Sequence, residues 1–238
     1  MYMKLLQRLS VILICFALTK EALANDSSEL TIAVSDIPNL ISEDSNDYGP
    51  YNHILGEMSD LKFDLLYTPP ARAELLFEKK QVDCLFPASV ATMSGKNKLI
   101  QSAAFDRVQA YLFTSKPYVD ISEYKRKAIA IRRGFAYGNI RQKFPAYYVE
   151  LGSDVLTLEF LKLDRVEGVI GYLSDVRSAS KLVATSLPYF NVKSPVYTAE
   201  DAIVCRESKD SLDLVGGVNS RLKEMKRTGL LQQLLSNE

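Results

Sequence analysis

The chain has 238 residues, 47% of them hydrophobic and 24% charged, with 29 Lys+Arg against 29 Asp+Glu. That balance excludes a disordered chain, a collagen-like repeat and a small disulfide scaffold. It also lacks the basic excess with which nucleic-acid binders meet phosphate, so no nucleic-acid partner is expected. A chain of this length buries enough apolar surface for one sizeable domain or two compact lobes. Trp is absent, and 13 Tyr and 10 Phe supply the aromatic surface.

Residues 1–24 read as an export signal. Lys4 and Arg8 form a positive start, Leu9 to Leu18 is a short apolar run, and Ala22-Leu23-Ala24 offers the small-x-small site that predicts cleavage after Ala24. The apolar run is about half of the ~20 residues that span a bilayer. Cys15 follows Ile14, where a lipoprotein would need a small residue. Removing the segment takes three basic residues and one acidic one, leaving 26 against 28. No later run approaches membrane length, which predicts a soluble mature protein in the periplasm.

Cys84 and Cys205 remain after cleavage. An even count in an oxidising compartment permits one disulfide. Both also lie in apolar runs, Val82 to Phe86 and Ala202 to Cys205, where free Cys serves as a small filler. The Cα separation that decides between these is not in the sequence. His53 is the only His, and no Cys or His stands at ligand spacing from another, so neither a metal nor a cofactor is expected.

Strands and helices alternate along the mature chain. Leu30 to Val34 is a first strand, and a polar loop from Ser42 to Pro50 leads to a helix around 51–58. Leu61 to Tyr67 alternates as a second strand, Pro69-Pro70 ends it, and Ala71 to Lys79 is built of helix formers. Val82 to Pro87 is a third strand. This order implies a mostly parallel sheet with helices on its faces. A second unit follows Tyr111 to Thr114. Ala128 to Ile131 is a strand, Gly134 stands where a helix over 135–144 would begin, 147–150 is a strand, 155–163 a helix and Gly168 to Leu173 a strand. The chain returns through Ala202 to Cys205 to a final helix, striped by Val218, Leu222, Met225, Leu230, Leu231 and Leu234.

Four stretches resemble one family. Arg72 to Cys84 looks like its helix, short turn and Asp-containing strand. Leu99 to Phe105, followed by Tyr111 to Thr114, resembles its passage into the first hinge strand. Ala128 to Tyr137 is similar to the turn that opens its second lobe, and Val218 to Leu231 to its closing helix. In this order, in an exported chain of this size, they resemble the periplasmic solute-binding proteins of the amino-acid type (family 3). The resemblance implies an α/β, two-lobed, type II periplasmic-binding fold, each lobe a mostly parallel sheet flanked by helices. The lobes would be residues 25–113 with 199–238, and residues 114–198, joined by two hinge strands. It further implies a monomer that closes on a small-molecule ligand and delivers it to an inner-membrane permease or receptor.

Candidate ligand-binding residues follow from position. Arg72 opens a helix near a strand end, where open α/β sheets place ligands, and could hold an anion with paired hydrogen bonds; it could equally pair with Glu74 or Glu78 on the surface. Arg133 and Gly134 precede the expected helix, whose free N–H groups would favour an anion, or form an ordinary turn. Tyr48 and Tyr51 could stack on a ligand, or anchor their loop. Ser89 and Thr92 could donate hydrogen bonds just beyond the third strand, or serve the turn. Tyr172 and Asp175 end the 168–173 strand and would face the cleft, with N-capping as the other role for Asp175. The resemblance places Lys96, with Lys98 close by, where the family has a carboxylate-binding Arg, and Tyr172 where it has an ammonium-binding Asp. Both departures put a standard α-amino acid in doubt and leave a small polar, zwitterionic or anionic solute as the expectation.

Two other functions compete with uptake. One is a stand-alone sensor whose closed form contacts a membrane receptor. The other is an enzyme on the same scaffold, for which His53 is the only His base; no GxSxG or HExxH motif occurs. The expectation is a binding protein without catalysis.

Overall fold

A computed structural model describes residues 29–93, 98–117, 120–135 and 137–236. The export segment and Lys96 lie outside the described residues. In the first lobe, β1 (Leu30–Ser35) pairs in parallel with β2 (Phe63–Thr68) on one side and β3 (Cys84–Ala88) on the other. Helix α1 (Pro50–Gly56) follows β1, and α2 (Pro70–Glu78) joins β2 to β3. A strand buried on both faces must be apolar at successive positions. Accordingly Ile32, Val34, Cys84 and Phe86 enter the core under α1, while Ala33 and Leu85 point to the opposite face with Ala73 and Phe77 of α2.

Beyond a short β4 (Leu99–Gln101), the second lobe is built on β5 (Asp106–Phe113), β6 (Ala128–Arg132), β7 (Tyr147–Leu151) and β8 (Gly168–Tyr172). Helices α3 (Ile140–Lys143), α4 (Asp154–Lys162) and α5 (Leu173–Leu182) accompany them. The same alternation holds: Ile129, Ile131 and Ile170 face Tyr137, Ile140 and Phe144, and Ala130 and Val169 face Leu158, Leu161 and Val176.

The chain returns through β9 (Tyr197–Arg206), which belongs to both lobes. Its first half pairs antiparallel with β5, from Tyr197 opposite Ala110 to Asp201 opposite Asp106. Its second half pairs with β3 and β4. The sheet order is β2-β1-β3-β9-β5-β8-β6-β7, with β4 also on β9, so β5 and β9 are the two strands that cross between lobes. Pairing of β3 with β9 shifts between Leu85 and Ala88, where Pro87 has no N–H to give the ladder. Cys84 lies directly opposite Cys205, the Cα atoms are 4.0 Å apart, and the two sulfurs are bonded. Both side chains sit in the main core of the first lobe.

The expected final helix is two helices. Helix α6 (Lys209–Thr228) starts at Ser208, whose hydroxyl accepts from the Ser211 N–H, and stops at Gly229 in the left-handed region (φ 80°); α7 (Leu230–Ser236) follows. Leu214, Val218, Leu222 and Met225 form the buried stripe of α6, and Leu231 of α7 joins the same core. Among the described residues no helix is long and apolar enough to cross a membrane.

Candidate functional site

A cavity of ≈ 90 Å³ lies between the lobes. Ser35 at the end of β1, Pro87 to Ser89 at the end of β3, and Thr92 form its first wall. Gly134 and Phe135 beyond β6, Tyr172 at the end of β8, and Ser174 and Asp175 in the first turn of α5 form the second. Val108, Ala199 and Asp201 of the crossing strands close its floor. These positions cluster at the carboxyl ends of strands, where open α/β sheets leave a crevice.

Two carboxyls stand in this cavity. Asp175 is 9% exposed and accepts a hydrogen bond from Ser174 Oγ at 3.1 Å. Burial pushes its pKa up to about 8; the nearby Asp154 charge adds to that, while Arg132 opposes it. Asp201, on β9, accepts from Tyr51 Oη at 2.7 Å. Burial pushes it up to about 6 against the pull of the Tyr51 hydrogen bond.

Behind the second wall, Arg132 Nη1 and Asp154 Oδ2 form an ion pair at 2.6 Å with both side chains nearly enclosed. Burial raises the Asp154 pKa, with Arg132 pulling it down less strongly. The Arg132 guanidinium also lies 4.4 Å from the Phe135 ring centre. Phe135, Tyr137 and Tyr172 make a ring cluster, with Tyr137 stacked on Tyr172 at 5.3 Å. Arg132 Nε and Tyr137 Oη are buried without a hydrogen-bond partner among the described residues. Phe135 packs against the main cores of both lobes.

The lobes touch at Gly134. Its φ is +80°, and a Cβ there would fall 2.4 Å from the backbone nitrogen of Ala71 in the first turn of α2. Glycine is required twice over: for the left-handed backbone, and for the approach of one lobe to the other.

The structure brings Ser89, Thr92, Gly134, Tyr172 and Asp175 together around the cavity. It does not bring the other candidates among the described residues there. Arg72 is exposed on α2, and Arg133 is exposed, its guanidinium making a long hydrogen bond from Nη2 to the Glu150 carbonyl at 3.4 Å. The helix expected over 135–144 is confined to Ile140–Lys143, so no helical N-terminus stands at Gly134 to favour an anion. The intervening turn is set by the positive φ of Gly134 and Gly138. Tyr51 is wholly buried in the first lobe and acts on the cavity only by holding Asp201. Tyr48 is half exposed and lines a larger, separate groove of ≈ 530 Å³ with His53, Lys181 and Leu182. The smaller cavity is the better candidate despite its size, because both lobes, both crossing strands and the two enclosed carboxyls converge on it. Asp175 is the third residue of α5 rather than its cap, which is Tyr172.

Sequence reasoning missed Asp201, Phe135 and the Arg132–Asp154 pair. Asp201 had a legible signal: an acid immediately before the apolar run Ala202 to Cys205 cannot remain solvated once that strand is central. The ion pair had none, since 22 residues separate its members.

No family model and no curated protein sequence matches this chain. Solved structures do. The GluR0 ligand-binding core in complex with L-glutamate is 11% identical, with 87% of this chain and 96% of that one covered and a TM-score of 0.70. An amino acid ABC transporter substrate-binding protein from Streptococcus pneumoniae, bound to L-arginine, is 13% identical, with 89% and 94% covered and a TM-score of 0.66. An ancestral amino acid-binding protein described as a precursor of cyclohexadienyl dehydratase is 16% identical, with 86% and 92% covered and a TM-score of 0.63. At such identities the likeness establishes the fold: the chain has the two-lobed α/β architecture of type II periplasmic binding proteins, as the four stretches implied.

Proposed function

We propose that the chain is a periplasmic solute-binding protein that closes on a small polar, amino-acid-like solute and presents it to an ABC-type permease, without catalysing a reaction. The observation that carries this reading is the cavity itself, walled by both lobes and floored by both crossing strands. A solute held there touches both walls only when the lobes are together, so its binding free energy favours closure. The similar solved structures support the reading, since those named above bind L-glutamate or L-arginine or are described as amino acid-binding. Export through residues 1–24, cleavage after Ala24 and a monomeric state belong to the same proposal.

The mature chain, expressed with its own leader and checked for its new N-terminus, is screened by thermal shift against amino acids, small amines, organic acids and sugars. A ligand that binds only the folded protein raises its melting temperature by mass action. Scattering should show the radius of gyration fall or hold at its compact value on binding, with the solute recovered unchanged. A screen in which every class leaves the melting temperature unmoved would sink the reading.

A further inference from the structure

We propose that the solute is longer than a single amino acid. Its head sits in the cleft cavity, and an apolar tail ending in a carboxylate runs along α5 into the outer groove beside Lys181 and Leu182. The inference deepens the solute-binding reading and rests on it. That groove, of ≈ 530 Å³, is walled from the first lobe by Asn39, Tyr48, Pro50 and His53 and from the second by Lys181 and Leu182.

The cleft cavity and the groove are joined by a third space. A pocket of ≈ 90 Å³ shares Ile37 and Asp175 with the cavity, and Asn39, Ser178 and Leu182 with the groove. Side chains three or four residues apart stack on one face of a helix. Asp175, Ser178 and Leu182 follow that spacing in α5, so one face of this helix forms a rail leading out of the cleft. Ile37, Pro38 and Asn39 of the first lobe form the facing side. At about 1.5 Å of rise per residue, the helix from Asp175 to Leu182 covers about 10 Å. An extended chain covers that distance with about three residues. The path therefore suits a tripeptide, or an amino acid whose side chain has a similar reach.

A tight loop shapes the first-lobe wall of the groove. The Asn39 N–H donates to the Asp47 carbonyl, and a Cβ on Gly49 would fall 2.2 Å from the Asn39 carbonyl oxygen. Asn39 itself holds a left-handed backbone (φ 63°), which Asn tolerates better than most residues. The groove's apolar lining is largely uncovered: Leu182 is 66% exposed and Tyr48 51%. An apolar segment of solute would remove this surface from water, which is favourable. Lys181 supplies the charge. Among the described residues no Asp or Glu lines the groove, and Lys181 forms no ion pair with any of them. A carboxylate beside it gains an attraction that no acid of the lining cancels. Neither Lys181 nor Leu182 lines the cleft cavity, so a single amino acid held there leaves both untouched. The tail meets both lobes along its length, so each added contact also favours closure.

The experiment is titration calorimetry of the mature protein at neutral pH. The probes are the standard amino acids, tripeptides carrying each of them ahead of Ala-Phe, 2-aminooctanedioic acid, and the terminal amides of these longer probes. The proposal expects a tripeptide or the dicarboxylic amino acid to bind at least about 10-fold tighter than any single standard amino acid. Leu182→Ser should weaken that longer probe about 10-fold, and Lys181→Gln should erase its advantage over its own amide. Both positions are exposed, and melting curves confirm that the variants fold. Preference for a tripeptide assigns a peptide tail, and preference for the dicarboxylic acid a side-chain tail; each upholds the proposal. A single amino acid that binds as tightly as every longer probe, or a longer probe that either variant leaves unaffected, overturns it and leaves the solute-binding reading standing. Absence of binding by every probe overturns both.

Discussion

The two lobes are stabilised by different physics. The first sets one large apolar cluster, in which β1, β3 and β9 meet α1, α6 and α7, on one face of its sheet and a smaller one under α2 on the other, and a disulfide crosses the large one between neighbouring strands. The second divides its apolar residues between two smaller clusters on opposite faces of its sheet. Toward the cleft it buries charge instead: the Arg132–Asp154 pair and the adjoining Asp175 carboxyl. Apolar contacts and a covalent link hold the first lobe with little dependence on pH, whereas burial raises the Asp154 and Asp175 pKa values on the second lobe's cleft face and ties it to pH. The difference teaches that the enclosed ionisable groups of the second lobe are gathered on the wall that faces the first.

The comparison is broken most forcefully at Arg132. Arg132→Ala leaves Asp154 buried without its partner and should cost about 3–5 kcal/mol in denaturant unfolding, whereas Arg132→Met with Asp154→Leu should recover much of the loss. Equal losses in the two variants would show that charge pairing is not what holds this wall. In the first lobe, Cys84→Ala with Cys205→Ala releases a 121-residue connection and should cost about 2–4 kcal/mol. Hydrogen exchange should then quicken in β1, β3 and β9 with β6 and β7 unchanged.

Asp175 sharpens the contrast through pH. Its carboxyl binds a proton more tightly folded than unfolded, so its cost is absent below its ordinary range near 4 and grows as pH rises toward about 8. Asp175→Asn should therefore raise stability at pH 8.5 and leave it unchanged at pH 4. A gain equal at both pH values would mean that repacking, not ionisation, is responsible. The smallest effect on stability is expected at the contact between lobes. Gly134→Ala puts a methyl against the Ala71 backbone in a left-handed conformation, worth about 1 kcal/mol. Because the clash lies where the two lobes touch and not inside either core, the expected readout is a larger radius of gyration and weaker solute binding, with the melting temperature nearly unmoved.

The succession of elements along the chain and an α/β class were legible because each central strand is apolar at successive positions, as Leu30 to Val34 and Gly168 to Leu173 show; the order of strands in the sheet was not. Helix α6 was legible through its stripe, though the break at Gly229 was passed over. The site was half legible. Ser89, Thr92, Tyr172 and Asp175 sit at strand ends, so locating the strands located them. Arg72 and Arg133 have chemistry suited to an anion and neighbours in sequence that line the cavity, but their own side chains turn to solvent, and direction is not written in residue type. Tyr51 illustrates the converse, since its ring fills the core while only its hydroxyl reaches Asp201.

Local patterning by itself determined the alternating elements and their approximate limits, because burial on a sheet face imposes its period directly on neighbouring residues; the two-lobed architecture was read from the resemblance of four stretches to a known family. Only the tertiary structure decided that Cys84 meets Cys205, that Arg132 meets Asp154, and that Asp175 and Asp201 share a cavity from which the exposed arginines turn away. Those are encounters between residues distant in the chain, and their energies depend on separation and enclosure, which no local pattern encodes.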